Sequence, residues 1–233
     1  MQIEEEMFLD PNLVLNLLLW KRDGSQFISD DACGHLATVT GALWTLRGRW
    51  FDKIDDLINC GSAASIDNIF DGGGTIEFWI NPGSDGESDL GTVAEKGALG
   101  TVGWFARVAA EVAGYVDLYF AEFFNTTNGM WHFTSGAIIP INTYSHLVIT
   151  YNASAVDNDP IIYLNGVSQA LTESSTPVGI RVSDVSADFN LGGRGDGSRT
   201  FDGYIGEVRA YKSKILFLNK VLRNCELSKW RYQ

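Results

Sequence analysis

The strongest constraint on this chain is the alternation in residues 201–211, FDGYIGEVRAY. Apolar and polar side chains take turns there at the period of two that a β-strand imposes, because successive residues leave opposite faces of a sheet. A second glycine-bounded run, GRWFDKIDDLINCG at 48–61, lies far upstream. Two such runs so distant in sequence suit one closed, two-sheet β domain whose last strand returns beside an early one.

The stretches between them agree. In 75–81, Ile76, Phe78 and Ile80 share one side while Glu77 and Trp79 take the other; in 103–109, Trp104, Ala106 and Val108 oppose Phe105 and Arg107. Further short strands are expected at 115–123, 130–135, 145–151, 160–164 and 188–191, separated by turn residues as in a sandwich or jelly roll. Asn165-Gly166 predicts a type I′ hairpin, which needs positive φ at both central positions, joining 161–164 to 167–171. Residues 13–20 read as a buried first strand, being a nearly continuous apolar run of strand length. Only 214–230 has helical spacing, through Leu218, Leu222, Cys225 and Trp230, and it predicts a helical lid on the rim. Residues 1–12 read as a polar N-terminal arm, with Met7, Phe8 and Leu9 as an apolar handle for a neighbour, and 13–233 as one domain.

With 45% hydrophobic residues the chain can bury a sizeable core, so disorder is excluded. A formal net charge of -12 repels phosphate backbones, and nucleic acid is not an expected partner. Residues 13–20 are too short, and interrupted by Asn16, to cross a bilayer, so no membrane insertion is expected. The acidic start, MQIEEE, lacks the positive segment of a signal peptide, and cytoplasmic synthesis without a leader is the expectation. Cys33, Cys60 and Cys225 are odd in number with no metal-type spacing, and read as reduced thiols.

Five segments occur in a telling order: Phe51-Asp52-Lys53-Ile54-Asp55-Asp56, TIEFWINP at 75–82, HLVITY at 146–151, IYLNG at 162–166 and the closing run 201–211. Together they resemble the laminin-G-like domains of the concanavalin A-like lectin and glucanase superfamily, over nearly the whole chain. The resemblance implies an all-β fold, a two-sheet antiparallel jelly-roll sandwich of concanavalin A-like type, here with a short C-terminal helix. It also implies a calcium ion (Ca2+) at the sandwich rim, where carboxylate and carbonyl oxygens gather on loops. Asp31 aligns with an aspartate of the family's early loop; on the closing strand Gly206 stands where the family commonly has Asp, with Glu207 beside it.

Glucan-hydrolysing relatives carry three carboxylates on one strand face. The nearest counterpart, ESDLGT at 87–92, supplies Glu87 and Asp89 but lacks the last, and acid/base hydrolysis needs carboxylates at a fixed separation. His35, His132 and His146 have no nucleophile motif beside them, so no catalytic residue is assigned. For sugar binding, an aromatic ring flanked by polar partners is required; Trp104, Tyr119 and Trp131, with Arg107 and Asn128, are the expected set. Arg194-Gly195-Asp196 reads as a hairpin turn. The resulting expectation is a non-catalytic binding or structural module. Its resemblance to stand-alone relatives of phage and viral genomes implies a virion surface or decoration protein with glycan affinity, in an oligomeric assembly with other virion or surface proteins. The rival readings are a secreted or cell-surface lectin, hence extracellular, and a divergent glycan-active enzyme.

Overall fold

The computed structural model describes residues 10–97 and 101–233. Most of the expected N-terminal arm, including Met7, Phe8 and Leu9, lies outside the described residues. The strands, in chain order, are β1 (Leu13–Leu18), β2 (Gln26–Ile28), β3 (Leu36–Thr40), β4 (Leu43–Thr45), β5 (Gly48–Asp52), β6 (Leu57–Asn59), β7 (Gly74–Pro82), β8 (Leu90–Gly97) and β9 (Gly103–Val112). They continue with β10 (Tyr115–Glu122), β11 (Gly129–Phe133), β12 (Ile139–Pro140), β13 (Ser145–Tyr151), β14 (Ile161–Leu164), β15 (Val167–Ser168), β16 (Leu171–Ser175), β17 (Phe189–Leu191) and β18 (Asp202–Lys212). Among the described residues one α-helix, α1 (Leu218–Ser228), follows them.

The strands form two antiparallel sheets. One runs β15-β14-β13-β7-β18-β5-β4, with β1 also on β18; the other runs β16-β11-β10-β9-β8-β17-β6-β3-β2, with β12 on β10. The closing strand β18 does what its alternation demands. It pairs with β5 from Asp202↔Asp52 to Ile205↔Arg49, and with β7 along its length.

The alternating sets partition as predicted. Ile76, Phe78 and Ile80, and Trp104, Ala106 and Val108, enter one core between the sheets. Phe70, on the connection into β7, sits at its centre with Trp104 and Phe120 edge-on at 5.5 and 5.3 Å. Such ring pairs contribute beyond simple area burial.

Two elements depart from expectation. Asn165 and Gly166 adopt φ 51° and 79°, as a type I′ turn requires, but the second strand of the hairpin ends at Ser168. The chain then changes sheets, and Leu171–Ser175 pairs with β11, placing Leu171 against the core. The helix is shorter than 214–230, and its inward face is Val221, Asn224, Cys225 and Ser228, whereas Leu218 and Trp230 are 48% and 66% exposed. The polar inward positions reflect what lies beneath. Asn224 donates to Glu77 Oε2 at 2.8 Å, Trp79 Nε1 donates to Ser228 Oγ at 2.8 Å, and Tyr232 stacks on Trp79 at 4.6 Å. The C-terminal segment therefore covers the outer face of the first sheet. The candidate site lies on the outer face of the second.

Candidate functional site

In an antiparallel pair, residues directly opposite share a face. Register thus builds two lateral rows on the outer face of the second sheet. The first joins Asn59, Asn190, Glu95, Phe105, Ala121 and Met130; the second joins Thr92, Arg107, Tyr119 and His132. A bulge in β8 between Thr92 and Ala94 sends Val93 and Ala94 both into the core, which leaves Thr92 and Glu95 outward on the same strand. One extra residue re-aims the side chains on either side of it.

Beside Glu95 the sheet is overhung by the turn at 194–198, closed by Arg194 N–H to Ser198 O and Gly197 N–H to Arg194 O, both at 2.9 Å. The turn is tied to the sheet by one carboxylate. Gly195 N–H donates to Glu95 Oε1 at 3.0 Å and Arg194 Nε lies 3.8 Å from Oε2. Between them is a cleft of about 340 Å3 lined by Glu95, Gly97, Asp188, Asn190, Gly195 and Asp196. At Gly195 the fit is close, since a Cβ would stand 3.1 Å from Asn190 Nδ2 and the amide would have to shift to admit it.

The electrostatics of this face are unusual. The Arg107 guanidinium lies 3.5 Å from the centre of the Phe105 ring and, among the described residues, makes no hydrogen bond and no ion pair; its Nε is buried without a partner. Burial foremost, then the charge of Arg194, hold its pKa down at about 10, although Glu95 acts in the opposite sense. Burial raises the Glu95 carboxyl above its ordinary range, with the Gly195 N–H, Arg194 and Arg107 partly offsetting it. Asn190 Oδ1 and Thr92 Oγ1 are also buried without partners. Next to Arg107, the partly exposed Tyr119 stacks on His132 at 4.9 Å and 11°. The face therefore presents fixed acceptors, fixed donors and an aromatic ring, the three elements that polyhydroxylated ligands use.

Of the residues expected for sugar binding, the structure brings Arg107 and Tyr119 together as direct cross-strand partners. It removes Trp104 and Trp131. Each is 1% exposed, Trp104 edge-on to Phe70 and Phe189 and Trp131 stacked on Phe120, so neither offers a ring face to a ligand. The reason is strand parity: both fall on the inner face, with only Trp131 Nε1 reaching outward, to Asp159 Oδ1 at 2.9 Å. Asn128 braces its own loop by accepting from Phe124 N–H at 3.1 Å. Glu95 and Asn190 line the cleft, with Arg194 held beside it by its pairing with Glu95, and all three escape a linear reading, since only the β8–β17 register and the turn bring them together. The outward alternation of 92–96 and the tight 194–197 turn are the signals that point to them.

Asp31 and Glu207 do not fit a calcium ion. Asp31 Oδ2 accepts from Asn16 N–H at 2.8 Å, and Oδ1 from Cys33 and Gly34 N–H at 2.9 and 3.0 Å. Glu207 is buried in ion pairs with Arg209 and Arg231 and accepts from Trp20 Nε1 at 3.1 Å. Two guanidiniums on one carboxylate leave no net charge for a divalent cation, which needs anionic or carbonyl oxygens free to turn toward it. Where the family commonly has Asp, a Cβ on Gly206 would lie 2.4 Å from the Tyr232 ring; the C-terminus occupies that space. Glu87 and Asp89 form a 3-10 turn, with Glu87 Oε2 accepting from Thr200 N–H at 3.2 Å.

A family model described as "Concanavalin A-like lectin/glucanases superfamily" matches residues 59–216. The chain belongs to this superfamily. Among curated proteins none matches. Among solved structures, this lectin/glucanase-type chain is similar to domain 4 of AbnA, a GH43 extracellular arabinanase from Geobacillus stearothermophilus, in complex with arabinotriose. The TM-score is 0.60 and the identity 16%, over 95% of this chain and 98% of that domain. It is also similar to the binding domain of botulinum neurotoxin DC in complex with SialylT (TM-score 0.64, 13% identity, 93% of this chain and 52% of that one) and to Trypanosoma rangeli sialidase (0.65, 14%, 96% and 34%). The chain thus spans about half of the toxin binding domain and about a third of the sialidase. At these identities the likeness is one of fold, and one fold hosts many functions.

Proposed function

We propose that this protein is a non-catalytic glycan-binding module that holds a saccharide in the cleft of Glu95, Asn190 and Gly195, extending along Arg107 and Tyr119. The observation that carries the reading is a cleft with a polar lining in which Asn190 Oδ1 is buried without a partner, beside a second row of the same sheet face where Arg107 Nε and Thr92 Oγ1 are likewise unpartnered. Buried polar groups are normally hydrogen-bonded, and leaving one unmade costs about 1–3 kcal/mol. Saccharide hydroxyls donate and accept, so they satisfy both kinds at once. The arabinotriose on the arabinanase domain and the SialylT on the toxin binding domain support a saccharide as the ligand.

The carboxylates of the cleft argue for binding without turnover. Glu95 has Gly195 N–H on one oxygen and Arg194 near the other, Asp188 accepts from Asn59 Nδ2 at 2.8 Å, and Asp196 accepts from Ser198. Each is held as an acceptor, whereas hydrolysis needs one acid and one base free to exchange protons. The wider setting, a subunit displayed on a virion or comparable particle, rests on the resemblance alone, and co-sedimentation of the protein with such particles tests it.

Calorimetric titration with arabino-oligosaccharides and a broader glycan panel tests the binding reading. Asn190→Ala and Glu95→Gln are each expected to weaken binding about tenfold, the effect of losing about 1.4 kcal/mol. Release of new reducing ends, or binding indifferent to both substitutions, would overturn it.

A further inference from the structure

Away from the cleft, the geometry points to a metal site: a zinc ion held by Asp31, Cys33 and His35 in the turn between β2 and β3. A carboxylate oxygen of Asp31, the Cys33 sulfur and a ring nitrogen of His35 all lie within 4.8 Å of one another. Small side-chain rotations close such a set onto one ion at bond lengths of about 2.0–2.3 Å. The turn is fixed by its own backbone. Ser29 N–H donates to His35 O at 2.9 Å and His35 N–H to Ser29 Oγ at 2.7 Å, and Gly34, at φ 67°, reverses the chain between the sulfur and the imidazole.

The histidine is set up as a ligand. His35 is 6% exposed, and its Nε2 lies 2.8 Å from Val14 O. A carbonyl only accepts, so Nε2 carries the proton; Ser65 Oγ, 3.2 Å from the same nitrogen, is compatible with that because a hydroxyl can also accept. Nδ1 keeps its lone pair and has no hydrogen-bond partner among the described residues. One ring nitrogen anchored on a backbone carbonyl with the other left free is the arrangement of metal-ligating histidines. The donor set then selects the metal. Asp31 Oδ1 accepts two amide N–H groups and Oδ2 one, so the carboxylate has little more than one lone pair to give. Calcium, which takes about six to eight oxygens, is poorly served by this. A thiolate, an imidazole and one carboxylate oxygen suit zinc, with the fourth position open to water. Cys33 is exposed, and with His35, Asn59, Ser62 and Ser65 it lines a cleft of about 460 Å3 that gives the ion a way in. Cys60 and Cys225 are buried in apolar clusters and serve as controls.

The test is titration of the full, untagged chain, stripped by chelator and kept reduced at neutral pH. One Zn2+ per chain is expected to bind with a Kd of about 10 µM or tighter and to raise the melting temperature. Co2+ in the same place should show a thiolate-to-metal charge-transfer band in the near ultraviolet, present in Cys60→Ala and Cys225→Ala and lost in Cys33→Ser. Cys33→Ser and His35→Gln should each weaken Zn2+ by about tenfold or more. Because Cys33 is exposed, Cys33→Ser should melt in chelator as the unaltered protein does, which separates lost binding from lost fold. Zn2+ binding weaker than about 10 µM, or unaltered in Cys33→Ser, would overturn the site. So would a cobalt band that survives Cys33→Ser. Saccharides enter none of these readouts, so failure here leaves the glycan reading standing.

Discussion

Arg107 illustrates how a single residue can be better for ligand than for fold. Its guanidinium is partly desolvated over Phe105 with no hydrogen bond or close ion pair among the described residues, and burial and the charge of Arg194 outweigh the attraction of Glu95, a balance that opposes folding unless something pairs with it. Arg107→Met keeps the apolar contact and removes the charge, so the variant is expected to gain about 0.5–1 kcal/mol in urea unfolding while losing ligand. A clear loss of stability would show that the charge has a partner in the folded protein. The tryptophans behave in the opposite way. Trp131→Phe keeps an aromatic ring but removes part of the buried indole and its hydrogen bond to Asp159, for an expected cost of about 1–3 kcal/mol. Trp104→Ala empties a site in the centre of the core, with a cost of about 3–5 kcal/mol. Saccharide affinity should be unaltered in Trp131→Phe, since the ring faces inward; weakened binding would return it to the site.

At the scale of elements, the C-terminal helix is a cover over charges. Beneath it Glu77 is paired with Arg209 and 3.1 Å from His146 Nε2, and Arg209 is paired with Glu207, all buried. Removing residues 218–233 would uncover this bed together with Trp79. The truncated protein is expected to lose cooperative unfolding at 25 °C, as followed by tryptophan fluorescence, whereas a sharp transition would show the helix to be dispensable. The bed also sets a pH dependence. Burial alone would lower the His146 pKa, but the Cys225 sulfur and the Glu77 carboxylate outweigh it and push it up to about 9, above the ordinary value of 6.5. A group raised on folding stabilises the native state fully below its unfolded pKa, and that contribution is lost as pH climbs through the folded value. The urea midpoint should therefore fall between pH 6.5 and about 9, and the fall should flatten in His146→Gln. Identical pH profiles for the two proteins would refute the coupling.

For the molecule as a whole, the sandwich reserves one sheet face for its own C-terminus and leaves the other to the cleft. The same choice bears on the rim where calcium was expected. With Glu207 claimed by Arg209 and Arg231, and Tyr232 filling the space beside Gly206, excess calcium is expected to leave the melting temperature equal to that in chelator. A calcium-dependent rise would place an ion on other oxygens of the chain.

The alternation of 75–81, 103–109 and 201–211 was enough to determine the sandwich, because a period of two assigns side chains to faces whatever the partners are. The turn at Asn165-Gly166 was equally legible, since positive φ at both positions is a local demand. It could even have placed Trp104 in the core, for it shares parity with Ala106 and Val108. What no local pattern could supply was which sheet face stays open. That depended on α1 burying Asn224 and Ser228 rather than its leucines, a choice made by the polar bed across the fold. Nor could it supply Glu95, Asn190 and Arg194 as one site. They belong to β8, β17 and a turn, and only the register of non-adjacent strands, with one bulge to re-aim Glu95, brings an orphaned amide and a carboxylate–guanidinium pair onto the same face.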